Sequence, residues 1–426
     1  MSPSTPTGAL LEHLFRRQAG RITAHLARLL GPAHLDLAEE TVQETMLRAL
    51  ETWPYNGVPQ NPVAWLFRVA HNAAIDAVRR NRFISQHTAA VVAELYSTAG
   101  LEPEDPQFEV QLRDDELRLI FMCCHPEIPR DASVALSLKT VGGFSVREIA
   151  RAFLADDAAI AQRLVRAKRQ IRDRQLTLDL PEGASLRERL DSVLEVIYFL
   201  FNEGYAAHEG EDLIRRDLYG EALRLGRLLA DSTLSAPPAD ALVALMALVA
   251  ARMPARVDAA GDLILLEDQD RGRWDQRLIA MGFHYFDRSI SGDDVSEYHV
   301  QAAIAATHAR AADLESTDWP TILALYDDLF ALTGSPVVEL NRAVALAKVR
   351  GPAEALTVVD TLSSHPRLKD YYLLLAVRGH LLLQLERCAE AAACFRAALN
   401  CPCSEPERRF LERKLTQCES GRSAAI

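Results

Sequence analysis

Positive charge is in shortest supply: 47 lysines and arginines face 59 aspartates and glutamates, for a formal net charge of −12. Taken over the whole chain, that balance argues against a protein whose entire surface coats nucleic acid. Cysteine is also sparse. The seven residues, Cys123, Cys124, Cys388, Cys394, Cys401, Cys403 and Cys418, form no CxxC pair and lack a companion pair of closely spaced histidines. Neither a zinc site nor a disulfide framework is expected, and no cofactor; buried free thiols are the simpler reading. No apolar run reaches the roughly 18 residues of a bilayer span. The opening stretch MSPSTPTGALLEHLFRR has no basic start followed by an apolar segment. No membrane segment or signal peptide is therefore expected, and a cytoplasmic location follows. Alternating β-branched residues are scarce as well. Apolar residues recur instead at spacings of three and four, so the expected fold class is all-α.

What is present suits a globular protein with real cores: 49% of residues are apolar and 25% charged, ordinary proportions for that class. A length of 426 residues suggests roughly two to four domains. The acidity is unevenly spread. Residues 1–180 hold 21 basic and 22 acidic side chains, whereas residues 181–426 hold 26 and 37. Nucleic-acid binding is thus a question for the first 180 residues. A first helical block covers 8–83. Residues 84–112, which include LEPEDPQ, read as a linker. A second block covers 113–175, and a long helical region spans 186–426.

In the first block, Asn61-Pro62 forms a helix start, and Val63 to Arg80 is amphipathic. Val63, Leu66, Phe67, Ala70, Ala74, Ala77 and Val78 share one face; Trp65, Arg68, Asn72, Asp76, Arg79 and Arg80 share the other. An indole among arginines and an asparagine suits base stacking and phosphate contact, although a solvated face with one stray tryptophan fits the periodicity equally well. The preceding helix, Ala38 to Leu50, places Val42, Met46, Ala49 and Leu50 on an apolar face, with Glu39, Glu40, Gln43 and Glu44 crowding its start. Acids there favour the helix dipole in any protein and could equally dock on a basic partner.

The second block ends in helix-turn-helix grammar. A short helix over Ser145–Phe153 precedes a turn at Leu154-Ala155-Asp156-Asp157 and a second helix. Ile160, Leu164, Ala167 and Ile171 form its buried stripe. Gln162, Arg166 and Arg169 lie opposite, flanked by Arg163, Lys168 and Arg172. Arginine and glutamine on such a face can make bidentate contacts to guanine and adenine edges, while their neighbours neutralise phosphates.

The order and wording of these segments carry a family resemblance. AEETVQETMLRAL (38–50) followed by NPVAWLFRVAHNAAIDAVRR (61–80) resembles region 2 of extracytoplasmic-function sigma factors, a minimal branch of the sigma-70 family. Leu117 to Arg172, through Cys123-Cys124-His125-Pro126 and Ala135-Leu136-Ser137-Leu138, resembles region 4. The resemblance implies that the chain binds core RNA polymerase through Glu39, Glu40, Gln43 and Glu44. It implies that Trp65, Arg68, Asn72, Asp76, Arg79 and Arg80 open and read the −10 element. Gln162, Arg163, Arg166, Lys168 and Arg169 would read the −35 element in double-stranded promoter DNA. The chain itself would catalyse nothing. The alternative is a stand-alone helix-turn-helix regulator.

Residues 190–426 resemble the extension of one branch of these factors, through Phe201-Asn202-Glu203-Gly204-Tyr205, Ala255-Arg256-Val257-Asp258 continuing to Leu265-Leu266-Glu267-Asp268-Gln269-Asp270-Arg271, and Glu407-Arg408-Arg409-Phe410-Leu411. Within it, a shift of 36 residues lays 345–366 over 381–402, matching Ala353-Glu354-Ala355 to Ala389-Glu390-Ala391 and Pro366 to Pro402. This is similar to the tetratricopeptide pattern, whose unit is about 34 residues. Its implied role is tuning sigma activity, with a possible intramolecular contact between the extension and the sigma domains. The carboxylates Asp258, Asp262, Glu267, Asp268 and Asp270 bunch together, but no phosphate loop, nucleophile elbow or histidine set accompanies them. A solvated loop with ion pairs to Arg271 and Arg273 is the expected form, and Trp274 and Trp319 are expected in the core.

Overall fold

The computed structural model describes residues 6–80, 106–153, 155–205, 216–291, 295–369 and 371–423. Among them the regular structure is helical, apart from one isolated antiparallel bridge between Val257 and Leu263. The chain divides into two compact units, Met1–Phe199 and Leu200–Ile426.

The first unit contains α1 (Pro6–Leu30), α2 (Leu35–Asn56), α3 (Pro62–Arg80), α4 (Pro106–Cys123), α5 (Arg130–Thr140), α6 (Val146–Ala152), α7 (Asp157–Asp173) and most of α8 (Ala184–Tyr205). Asn61 caps α3: its side-chain oxygen accepts from the Ala64 amide at 2.9 Å, satisfying one of the orphan donors of the first turn. One core joins Ile22 and Leu26 of α1, Val42 and Trp53 of α2, and Leu66 and Phe67 of α3. Phe108 and Leu112 complete it. The stretch read as a linker therefore ends before α4, whose first two turns belong to this core; residues 84–105 of that stretch lie outside the described residues. Two prolines and three acids suggested a linker, but two apolar side chains four apart outweigh them once a core is available.

The second unit contains the end of α8, then α9 (Arg216–Ala230), α10 (Pro237–Ala250), α11 (Gln276–Ser289), α12 (Glu297–Arg310), α13 (Trp319–Thr333), α14 (Pro336–Arg350), α15 (Pro352–Leu362), α16 (Tyr372–Gln384), α17 (Cys388–Ala398) and α18 (Glu405–Ser423). By length and composition Pro237–Ala255 could cross a membrane, contrary to the expectation that no run is apolar enough; 78% of that window is buried in the protein. It is a core helix, with α11 and α12 packed on it. The approach is close, since a Cβ on Gly282 would lie 2.5 Å from Leu248 Cγ.

From α12 onward each helix packs on the next. The internal repeat is visible in the element bounds: α14 starts 36 residues before α16, and α15 runs over Pro352–Leu362 as α17 does over Cys388–Ala398. Within the repeat the sizes of facing residues trade off. Gly379 lies under the Phe395 ring, so that an added Cβ would sit 2.9 Å from Phe395 Cε1. The corresponding pair one repeat earlier is Ala343 and Val359, both fully buried. A smaller side chain on one helix thus accompanies a larger one on the other. Gly379→Ala is expected to destabilise the protein by about 1–3 kcal/mol through overpacking. Adding Phe395→Val, which recreates the Ala–Val pair, should cost less than the two single changes summed. Chemical denaturation of the three variants checks this, and strict additivity would contradict the pairing.

Candidate nucleic-acid interface

The helix-turn-helix is built locally. Ser145 and Glu148 form a capping box that starts α6: the Glu148 amide donates to Ser145 Oγ at 3.2 Å, and the Ser145 amide donates to Glu148 Oε2 at 2.8 Å. Ile160, Leu164, Ala167 and Ile171 of α7 are buried, as is Ile149 of α6. Phe153 is half-buried and stacks on Phe199, with ring centroids 5.8 Å apart. Leu154, in the turn, lies outside the described residues. Gln162 and Arg166 are exposed. Arg169 is exposed and pairs within the helix to Asp173 at 3.2 Å. Arg163 is half-buried and faces Asp131 at 3.4 Å. The outer face of α7 therefore carries exposed guanidinium and amide donors, and the ion pairs of Arg163 and Arg169 there are solvent-exposed and weak.

Lys168 is different. Its Nζ donates at 2.8 Å to both Asp36 Oδ1 and Glu39 Oε2, and Arg172 Nη1 donates to Asp36 Oδ2 at 2.9 Å. Burial works to lower the ammonium's pKa, but Glu39 and Asp36 outweigh it and hold it above the ordinary lysine value. Burial likewise works to raise the Asp36 pKa, and Lys168 and Arg172 leave it below the usual carboxylate value. One residue expected on DNA and one expected on polymerase are thus each other's partners. Glu40 and Gln43 are exposed, and Glu44 pairs with Arg48 at 2.5 Å. Leu50, expected on the apolar face of α2, is 50% exposed, and Leu47 is 59% exposed. Both border a groove of about 440 Å³ that also meets Gln43 and Met46 of α2, Lys139 of α5 and Glu148 of α6. Leu47 was missed because it breaks the spacing of its buried neighbours.

On α3, Arg68, Asn72, Asp76 and Arg79 are exposed, and the side chain of Arg80 lies outside the described residues. Trp65 is half-buried and meets the buried Trp53 edge-on at 5.4 Å. Its indole is partly spent on the core, which its polar-side position did not disclose. His71 is buried beside His25, with ring centroids 5.8 Å apart.

Two more ties join the blocks of the first unit. Asp115 of α4 is buried, with Oδ2 at 2.9 Å from His25 Nδ1 and Oδ1 at 2.8 Å from Arg28 Nε. At Gly20 of α1, an added Cβ would lie 1.8 Å from the Val141 carbonyl oxygen. Glycine there lets α1 approach the backbone that follows α5.

In the second unit the stretches that carry the resemblance converge. Arg256 donates to the Tyr205 carbonyl and lies over the Tyr205 ring at 4.1 Å, while Arg252 donates to the Tyr205 hydroxyl at 2.5 Å. Asp262 accepts from Arg409 at 2.5 Å and from Arg413. Glu267 accepts from Lys348 at 2.9 Å. The acidic loop is therefore tied to α18 and α14 rather than to its own arginines. Arg271 instead donates to the carbonyls of His308 and Ala311, both at 2.8 Å.

Comparison with known proteins bears on both units. Residues 14–84 match the model of sigma-70 region 2 and residues 118–171 that of sigma-70 region 4. Residues 189–290 match a family of unknown function, DUF6596. An uncharacterized protein of Rhizobium meliloti (strain 1021) is 42% identical over 387 residues, covering 90% of each chain. RNA polymerase sigma factor CarQ of Myxococcus xanthus is 30% identical over 32% of this chain and 73% of its own length. ECF RNA polymerase sigma factor SigL of Mycobacterium tuberculosis is 30% identical over 41% of this chain and 90% of its own. No solved structure matches the chain. The order of the two helical blocks, the exposed donors of α7 and these matches lead to one conclusion: the chain belongs to the extracytoplasmic-function family of sigma-70 factors.

Proposed function

We propose that this sigma factor binds core RNA polymerase through the outer side of α2 and directs it to promoters, with α3 engaging the −10 element and α7 the −35 element. The observation that carries this reading is the outer face of α7, where Gln162, Arg166 and Arg169 stand exposed over a fully buried stripe. Lys168 and Arg163 add phosphate contacts, and Arg68, Asn72, Arg79 and Arg80 add strand contacts on α3. Glu40, Gln43 and Glu44, with Leu47 and Leu50 beside them, supply the polymerase contact. The acidic extension repels the duplex and tunes the sigma domains; its 36-residue repeat is read as tetratricopeptide-like.

The geometry of the first unit adds a requirement. A compact body of 199 residues has a radius of gyration of about 16 Å. Elements at −10 and −35 are separated by about 25 base pairs, or roughly 85 Å of duplex at ~3.4 Å per step. The arrangement joined by Lys168, Asp36 and Glu39 is therefore a closed form. Polymerase, by engaging α2, opens it and frees Lys168 and Arg172 for phosphate.

Run-off transcription with purified core polymerase tests the function. Promoter-specific transcripts are expected, and Arg166→Ala should weaken recognition by about 1–3 kcal/mol. Duplex binding without initiation would instead favour a stand-alone regulator. The closed form makes a separate prediction. Asp36→Asn should raise the affinity of the free protein for promoter duplex several-fold, because it loosens Lys168 and Arg172 without touching the outer face of α7. Unchanged or weaker binding in a mobility-shift titration would contradict it.

A further inference from the structure

The second unit holds a partly enclosed cavity of about 260 Å³. Its wall is largely apolar, formed by Leu265 and Leu266 of the acidic loop, Trp319 of α13, Ala376 and Val377 of α16, and Phe410 of α18. The volume exceeds the roughly 150 Å³ of a benzene-sized void and falls just short of the roughly 300 Å³ at which drug-sized sites begin. One small ligand fits it better than a peptide helix does.

The polar groups sit at two ends. At one, Tyr372 donates to Glu407, whose other oxygen accepts from the Ser404 amide and hydroxyl at 2.8 Å. That carboxylate is already well supplied with donors. At the other end, Glu267 accepts from Lys348 at 2.9 Å, with His380 Nε2 at 3.8 Å. Lys414 also lines this end; it forms no ion pair among the described residues, and its Nζ lies 5.6 Å from the Phe410 ring centroid. Burial lowers the His380 pKa, leaving that ring neutral near pH 7. Lys348 and Lys414 thus face Glu267 at this end, with Asp268 of the same loop acting on His380 from farther off, and Lys414 is the ammonium here that has no ion pair among the described residues. Tyr372 and His380 are eight residues apart on α16, and Glu407 and Lys414 seven apart on α18, so the ends are separated by about 10–12 Å.

We infer that this cavity binds a small amphipathic monoanion, whose apolar chain or ring lies along α16 and α18 and whose carboxylate or similar head meets Lys414. Apolar burial supplies the affinity and the unpaired ammonium selects the charge.

Calorimetric titration of the full chain with octanoate, octanol and octylamine tests this. Saturable one-to-one binding of octanoate is expected, at least about tenfold tighter than octanol or octylamine, the worth of one charge-assisted hydrogen bond. Lys414→Met should abolish the preference for octanoate over octanol, and Ala376→Trp should abolish binding of both. Thermal melting of each variant verifies that it is folded; if Ala376→Trp melts early, Val377→Phe fills the same space. Absence of saturable octanoate binding, equal affinity for the neutral alcohol, or binding untouched by the filled cavity would each overturn the inference.

Discussion

The ammonium of Lys168, seated between Asp36 and Glu39, is the contact on which the arrangement of the first unit turns. Its side chain is only 12% exposed and that of Glu39 only 11%. A charge so far withdrawn from water is tolerable only while its partners stay in place, because removing one leaves the other buried and uncompensated. The same three residues therefore hold α7 on α2 and keep two charged groups from other partners. The buried Asp115, between His25 and Arg28, and the close approach at Gly20 hold α1 against α4 and the end of α5 in the same body. Opening such a unit requires replacements of equal quality. In the proposed function, a basic surface of the polymerase offers cations for Asp36 and Glu39 and so opens the unit, and a DNA backbone then offers anions for the freed Lys168 and Arg172.

The second unit satisfies its acidity differently. Its carboxylates are distributed among cations from distant helices: Asp262 to Arg409 and Arg413, Glu267 to Lys348, Asp231 to Arg288. An excess of acid in the sequence thus does not translate into a uniformly negative pocket. Where the acidic loop meets α14, α16 and α18, Lys348 and Lys414 stand against its carboxylates despite the net charge of the chain.

Much of this was legible in the sequence, and the parts that were not share a cause. The stripe Ile160, Leu164, Ala167 and Ile171 follows from period alone and is buried. The 36-residue shift seen in the sequence also relates the starts of α14 and α16 and both bounds of α15 and α17. Period assigns a residue to a face, however, and cannot say what that face meets. Glu39 and Lys168 each occupy a polar face, yet the side chain of each is largely withdrawn from water where the two meet. Trp65 lies on the polar side of α3 but leans on Trp53. Pro237–Ala255 is apolar all round because other helices surround it, a pattern that a membrane span would share. The ends of ion pairs spanning more than a hundred residues, such as Arg409 to Asp262, leave no local trace.

If the Lys168 cluster couples polymerase binding to release of the recognition helix, the distance between α2 and α7 is the quantity to follow. Spin labels or fluorophores introduced site-specifically at the exposed positions Glu51 and Val165 would report it in the free chain, on core polymerase and on a promoter complex. A single short distance is expected in the free protein, with a lengthening by more than a helix diameter, about 10 Å, once core polymerase is bound. A distance that stays short in a complex active in transcription, or one already long in the free protein, would contradict it.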